Sequence, residues 1–387
     1  MRLKVLYFTI LNITSDIDGG SISCRNHINR LSRDEEIELF VVIAGSKDRE
    51  ADSLSYINSL NVSGKFVAFK EQGPAKQRTF LEKLFSIPWE ELARVQSHVD
   101  QAVVEAIASN DADVLLIEYF YSTLFCHNAI KAAPRTVLLN QNKEISFHIN
   151  LLKNSIKPQC KMALYTFTVL RLWRLEHSMH RLMDKIISLA PQEVSRHKGM
   201  YITPYLSAKT KQWKPNSSRT IFFVGNVNHY LNKEAIEYII VKLAPFVAEL
   251  IPDIRFKIIG ASDSDVPFRH PSVDLLGISN AEEVERQFLN CQLFICPFKK
   301  NLELRMKILE ALSYGTPFLL SPGLLLRLPH LKGFPSLSVD DPVQAAKTIA
   351  TFILDETGTI NLAKNINFQQ RQFIDSQKNA WSRALKN

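Results

Sequence analysis

Cysteine is too scarce and too scattered in this chain to build anything. Among 387 residues there are five, Cys24, Cys126, Cys160, Cys291 and Cys296, an odd number with no C-x-x-C pair. That spacing argues against a disulfide framework and a zinc site, and makes a reducing cytoplasm the expected setting. Long apolar runs are missing as well. Lys or Arg interrupts each one well short of the roughly 20 residues a membrane-spanning helix needs. The opening "MRLKVLYFTI" is too short an apolar run for a signal peptide. No repeat at solenoid period, no low-complexity tract and no G-x-G-x-x-G fingerprint occurs, which removes arrays and weakens the case for a dinucleotide. Basic residues do not cluster with aromatics in any one segment, so no nucleic-acid partner is expected.

What remains is a globular composition, with 46% hydrophobic and 22% charged residues. The net charge is +8 and the pI about 9.1, a balance that suits an anionic partner. Short apolar runs alternate with helical patterns from end to end. In the first half 4–10, 37–44, 65–69, 113–119, 136–140 and 185–190 read as strands. Helical stretches near 21–32, 90–109, 121–132 and 160–183 lie between them. In the second half 220–225, 255–260, 292–297 and 317–321 repeat the scheme, and the chain after 340 reads as helical. Such alternation predicts βαβ units and parallel sheets with helices on both faces. The polar stretch 207–219 reads as a linker. The expected organisation is therefore an N-terminal Rossmann-like domain over 1–206 and a C-terminal one over 220–367. A last helix near 368–387 is expected to pack back on the first domain.

Ligands in open α/β sheets bind outside the carboxyl ends of strands, so chemistry is sought just after each strand. After the first comes "LNITSDIDGGSIS", where Gly19 and Gly20 permit close backbone approach and leave helix N–H groups for an anion or sugar oxygen. A Gly-Gly pair is also an ordinary βα turn. "LLNQNKEISF" (138–147) sets Asn140, Gln141, Asn142 and Glu144 at a strand end. "FFVGNVNHYLNKEAIEYI" (222–239) offers Asn226, Asn228 and His229 as polar contacts, with Asn232 as the helix N-cap. Two D-x-D triplets, Asp111–Asp113 and Asp263–Asp265, fit loop chemistry better than a metal, and His177 and His180 lack further ligands. Finally, "LELRMKILEALSYGTP" (302–317) reads as a helix closed by Gly315 and Pro317, with Leu304, Ile308, Leu309 and Leu312 facing the core. Its first turns carry Arg305, Lys307 and Glu310. Two of these are cations where the helix dipole favours anions, so they serve either a bound anion or simply as solvated helix charges.

Taken in order, "DGGSIS", "QNKE", "FVGNVNHYLNKEAIEYI" and "LRMKILEALSYGTP" make the chain resemble a family-4-type retaining glycosyltransferase of the GT-B fold. The resemblance extends to "EYFYSTLF" (118–125), "RLEHSMHRLMDKIISLAPQE" (174–193) and Trp381 in the final helix. It implies two Rossmann-like doubly wound domains facing a central cleft. It also implies sugar transfer with retention from a nucleoside diphosphate sugar to a glycan or lipid-linked acceptor. No metal and no cofactor are implied. Carried over by position, Arg305 and Lys307 face the donor diphosphate, and Glu144 lies near the reacting carbon. Gly19, Gly20, Asn226, Glu303 and Glu310 contact the donor, Glu310 through its ribose, and Asn142 the acceptor. Three departures stand out. Gln141 replaces a usual histidine. Asn301, Leu302 and Glu303 replace a glycine-rich turn, and Leu302 takes the first position of an E-x7-E pair, leaving Glu303 one step late. Only Lys233 supplies a cation after the first strand of the second domain. A nucleotide-sugar epimerase on the same plan and an inactive GT-B binding subunit are the alternatives. The basic, aromatic stretch 65–92, with Phe80, Leu84, Phe85 and Trp89, predicts peripheral attachment to an anionic membrane face, with core packing of those residues as the other outcome.

Overall fold

The structure, a computed structural model, describes all residues except 1, 16–18, 71–87, 141–144, 146–147, 150–158, 190, 192–193, 195–197, 203–208, 300–305, 377–379 and 387. The side chains of 88, 89, 91 and 159–164 also lie outside the description. The chain forms two compact units, Met1–Tyr205 with Gln377–Asn387, and Leu206–Ser376.

The first unit is built on β1 (Leu3–Thr9), β2 (Ile37–Gly45), β3 (Ser63–Ala68), β4 (Val114–Glu118), β5 (Thr136–Asn140), β6 (Lys185–Ser188) and β7 (Gly199–Tyr201). They lie in the order β3-β2-β1-β4-β5-β6-β7, and every pairing is parallel. Strands buried on both faces read as continuous apolar runs, as "VLLI" and "VLL" do here. Alternate side chains then serve two cores. Leu6, Phe8, Leu115 and Ile117 join one face, while Val5, Tyr7, Val114 and Leu116 join the other. Trp381, Ala384 and Leu385 of the terminal helix Ala380–Lys386 are buried in that second core with Cys24 and Ile28. The return segment is shorter than the sequence suggests. The helix Glu356–Ser376 is one continuous element whose Leu362 and Ile366 pack in the second unit's core, so only the stretch beyond it joins the first.

The second unit carries β8 (Thr220–Val224), β9 (Arg255–Ile259), β10 (Val273–Leu275), β11 (Leu293–Cys296) and β12 (Phe318–Leu320) in the order β10-β9-β8-β11-β12, again all parallel. The fold is two Rossmann-like α/β units. β7 and β10 escape sequence reading because each has three half-buried residues at a sheet edge, too few to show a period.

Each sheet has one point where strand order reverses, between β1 and β4 in the first and between β8 and β11 in the second. A crevice opens there at the carboxyl ends of the two strands, because their crossover helices leave on opposite faces. Those two points position everything that follows.

Candidate active site

In the second unit the chain leaves β11 at Cys296 and re-enters as the helix Met306–Tyr314, which runs back to parallel β12. That connection fixes the helix N-terminus at the carboxyl end of the sheet, beside the switch point. Ile308, Leu309, Ala311 and Leu312 bury one face. Gly315 ends the helix at φ +74°, a left-handed position that costs glycine no Cβ clash. Lys307 and Glu310 are left on the partly exposed face, where Lys307 Nζ donates to Glu310 Oε2 at 2.7 Å. Each charge thus neutralises the other. Glu303 and Arg305 lie outside the described residues.

Across the switch point, β8 ends at Val224 and is followed by Gly225 and the exposed Asn226. Asn226 Oδ1 accepts from the Asn228 N–H at 2.9 Å, an Asx turn that fixes the side chain, and its carbonyl accepts from Asn232 Nδ2 at 2.9 Å. Asn232 is therefore not the N-cap. His229 holds that position, with extended φ and ψ and no side-chain capping bond, and Asn232 sits inside the first turn reaching back to the loop. The turn is held close to β9. Gly260 has φ +101°, and a Cβ there would stand 2.6 Å from Gly225 C and 2.9 Å from Asn226 N. Only glycine permits that approach.

The D-x-D carboxylates are occupied locally. Asp265 accepts from Ser262 N and Oγ at 2.6 and 2.5 Å, and Asp263 pairs with Arg269 at 2.8 Å. Asp113 accepts from the Lys4 N–H at the amino end of β4, the opposite end of the strand from the crevice, and Asp111 pairs with Lys4 Nζ. His177 stacks on Trp173, and His180 lies 4.0 Å from Glu176. Among the described residues no three His, Cys, Asp or Glu side chains converge as a metal site would need.

In the first unit the helix Gly19–Ser32 begins on Gly19 and Gly20, at the carboxyl end of β1. Asn142 and Glu144 lie outside the described residues, immediately after Asn140, which ends β5. Asn140 is buried, and its Oδ1 has no hydrogen-bond partner among the described residues.

Beneath this edge lies a polar network that sequence reasoning missed. Glu118, the last residue of β4, is fully buried. His27 Nδ1 stands 3.0 Å from both its carboxylate oxygens, and the Tyr7 hydroxyl donates to the same carboxylate. Cys24 Sγ is 3.1 Å from the Tyr7 oxygen. Burial, reinforced by Cys24 and Glu118 beside it, pushes the Tyr7 hydroxyl well above its usual range. Ser122 Oγ donates to the Glu118 carbonyl at 2.6 Å and accepts from the Ile10 N–H at 3.3 Å, tying the ends of β1 and β4 together. Next to it Tyr119 holds φ +76°, strained backbone at a strand end of the kind found at functional edges. The available signal was Glu118 itself, a lone carboxylate closing the apolar run "DVLLIE", which a doubly covered strand must bury and therefore pair.

Residues 218–355 match the family model described as glycosyl transferases group 1. That segment spans the second unit from β8 to the helix Pro342–Leu354. The chain is similar to sucrose-phosphate synthase from Thermosynechococcus elongatus, with 13% identity, a TM-score of 0.66 and coverage of 99% of this chain and 98% of that one. It is equally similar to HepE from Anabaena, solved with UDP and glucose, at 13% identity and a TM-score of 0.66, each chain covered in full (100%). A third structure, UGT2 from Phytolacca americana with UDP-2-fluoroglucose and pterostilbene, gives 12% identity and a TM-score of 0.53 over 98% of this chain and 95% of that one. No curated protein matches the chain in sequence. The fold is GT-B, and the second unit carries a group 1 glycosyltransferase domain.

Proposed function

We propose that the chain transfers a sugar from a nucleoside diphosphate sugar to a glycan or lipid-linked acceptor, with retention and without a metal. The observation that carries the reading is the helix Met306–Tyr314, a segment of the group 1 domain whose N-terminus stands at the switch point of the second sheet. A diphosphate is a dianion, and a helix N-terminus with basic side chains is its electrostatic complement. Lys307, with Arg305 two residues before it, is assigned to the leaving diphosphate, whose growing charge they stabilise in place of a metal. Glu310 is assigned to the donor ribose. The Lys307–Glu310 pair supports this economy, because donor binding gives each partner a replacement for the other.

Asn226 and Glu303 complete the donor side. Gly19 and Gly20 are assigned to the donor through the N–H groups of their helix, Glu144 to the reacting carbon and Asn142 to the acceptor. The work is cytoplasmic, with peripheral attachment to an anionic membrane face. The test is release of nucleoside diphosphate that depends on acceptor, measured with and without exhaustive chelation. Acceptor-dependent release that survives chelation is the expected result. Release restored only by Mn²⁺ or Mg²⁺ overturns metal independence, and donor turnover to an epimer without acceptor assigns the epimerase reading instead.

A further inference from the structure

The segment 71–87, which carries most of the expected membrane contact, lies outside the described residues. The helix Gln159–Leu182 supplies a candidate. Leu170 is 54% exposed and Trp173 51%, and Phe167 is exposed to a similar degree. At 100° per residue these three fall on one side of the helix, together with exposed Arg174, His177 and Arg181. A helix that packs on a globular core buries such side chains; here Val169 and Leu172 do so on the opposite side.

The charge on this face is of one sign. From 165 onward the helix has a single acid, Glu176, and it is buried. Arg171, at the border of the face, is already paired with Glu90 at 2.6 Å. Arg174 and Arg181 have no carboxylate within 4.0 Å among the described residues. The Trp173 indole lies nearly parallel to the His177 ring, with centroids 5.8 Å apart, which holds it along the helix surface.

We propose that this face is the docking surface for an anionic lipid bilayer. Tryptophan and leucine beside unpaired arginines are what the headgroup boundary accepts: the apolar groups enter the acyl edge and the guanidinium groups meet lipid phosphates. Charge decides among occupants. A second copy would bring Arg174 and Arg181 against the same cations on a chain that already carries +8. Nucleic acid would leave the exposed Leu170 without an apolar contact. The helix lies on the membrane, since no helix among the described residues is long and apolar enough to cross one. The inference deepens the peripheral part of the proposed function and does not depend on sugar transfer.

The experiment is co-sedimentation of the full chain, without donor, with phosphatidylcholine vesicles and with vesicles containing phosphatidylglycerol. The chain is expected to bind the anionic vesicles at low salt and to leave them as salt rises. Arg174→Ala with Arg181→Ala should weaken binding about thirtyfold, the value for two cations near an anionic surface. Leu170→Ala with Trp173→Ala should weaken it at least about tenfold through lost apolar burial. Both pairs of positions are exposed, so unchanged melting temperatures confirm intact folding. Wild-type chain left in the supernatant at low salt, or either double variant binding as wild type does, overturns the proposal. So does a dimer that the Leu170/Trp173 variant abolishes while vesicle binding is unaffected. Vesicle binding without nucleotide release would sink the catalytic reading alone, and release without vesicle binding this one alone.

Discussion

Replacing Lys307 separates a binding role from a structural one, because the two predict different magnitudes in different assays. The side chain is about one-third exposed and makes one ion pair, to Glu310 three residues on. Such a pair on a helix surface contributes about 0.2–0.5 kcal/mol. A cation in the first turn opposes the helix dipole by a similar amount. The two nearly cancel, so Lys307→Ala should leave folding almost unchanged. For a unit of about 170 residues, half a kcal/mol moves the melting temperature by about 1–2 °C. Loss of a contact to the departing diphosphate is far larger, on the order of 3 kcal/mol, or about a hundredfold in turnover. Differential scanning fluorimetry with and without nucleoside diphosphate, beside initial rates of diphosphate release, reads both. The expected variant melts like wild type, gains little from added nucleotide and turns over about a hundredfold more slowly. Glu310→Gln should weaken donor binding while keeping turnover within about tenfold, since the amide keeps an acceptor for the ribose. The double variant tests coupling, because groups in contact do not act additively. A Lys307→Ala enzyme with wild-type turnover and nucleotide response would show that the pair is only a solvated helix ornament.

Other sites give sharper stability signals. Gly260→Ala forces a Cβ against the Gly225 and Asn226 backbone at φ +101°, and should cost about 3 kcal/mol in urea unfolding. Gly277→Ala, at φ +70° with nothing within 4 Å, should cost only about 1–2 kcal/mol; equal losses at both would refute the close approach. Glu118→Ala leaves His27 and Tyr7 without their buried acceptor and should cost about 3–5 kcal/mol, with Trp381 emission shifting because that ring sits 5.4 Å from His27. An unchanged melt would remove the network from the account. His330, stacked on Phe373 at 4.6 Å, is pushed down to about 4 by burial. A neutral folded histidine stabilises fully above its unfolded value near pH 6.5 and loses that contribution as pH falls toward about 4. After allowance for partial exposure the loss is on the order of 1 kcal/mol, and His330→Phe should flatten that limb of the stability–pH curve.

The sequence by itself determined the layered architecture. Strands such as "VLLI" and "TIFFV" are apolar at every position because a parallel sheet is covered on both faces, so they show without any tertiary knowledge. The helix at Met306–Tyr314 was legible for a related reason: its buried face recurs at helical spacing, and Gly315 marks its end. Lys307 and Glu310 stood out because charges at that position serve no packing need.

What only the tertiary structure decided is how polar groups find each other across the sheet. Nothing in the spacing of Tyr7, His27 and Glu118 joins them. Parallel pairing of β1 with β4 sets Tyr7 beside Glu118, and the following helix lays His27 over both. The same holds for Asn232, which sequence reads as a cap because capping is a local rule, and which the structure spends on the Asn226 carbonyl instead. It holds again for Gly260, whose need for glycine comes from the backbone that follows a neighbouring strand as well as from its own φ of +101°. Periodicity reports burial, which each segment carries in its own composition. Pairing depends on which strand comes to lie beside which, and that is set by the closing of the whole sheet.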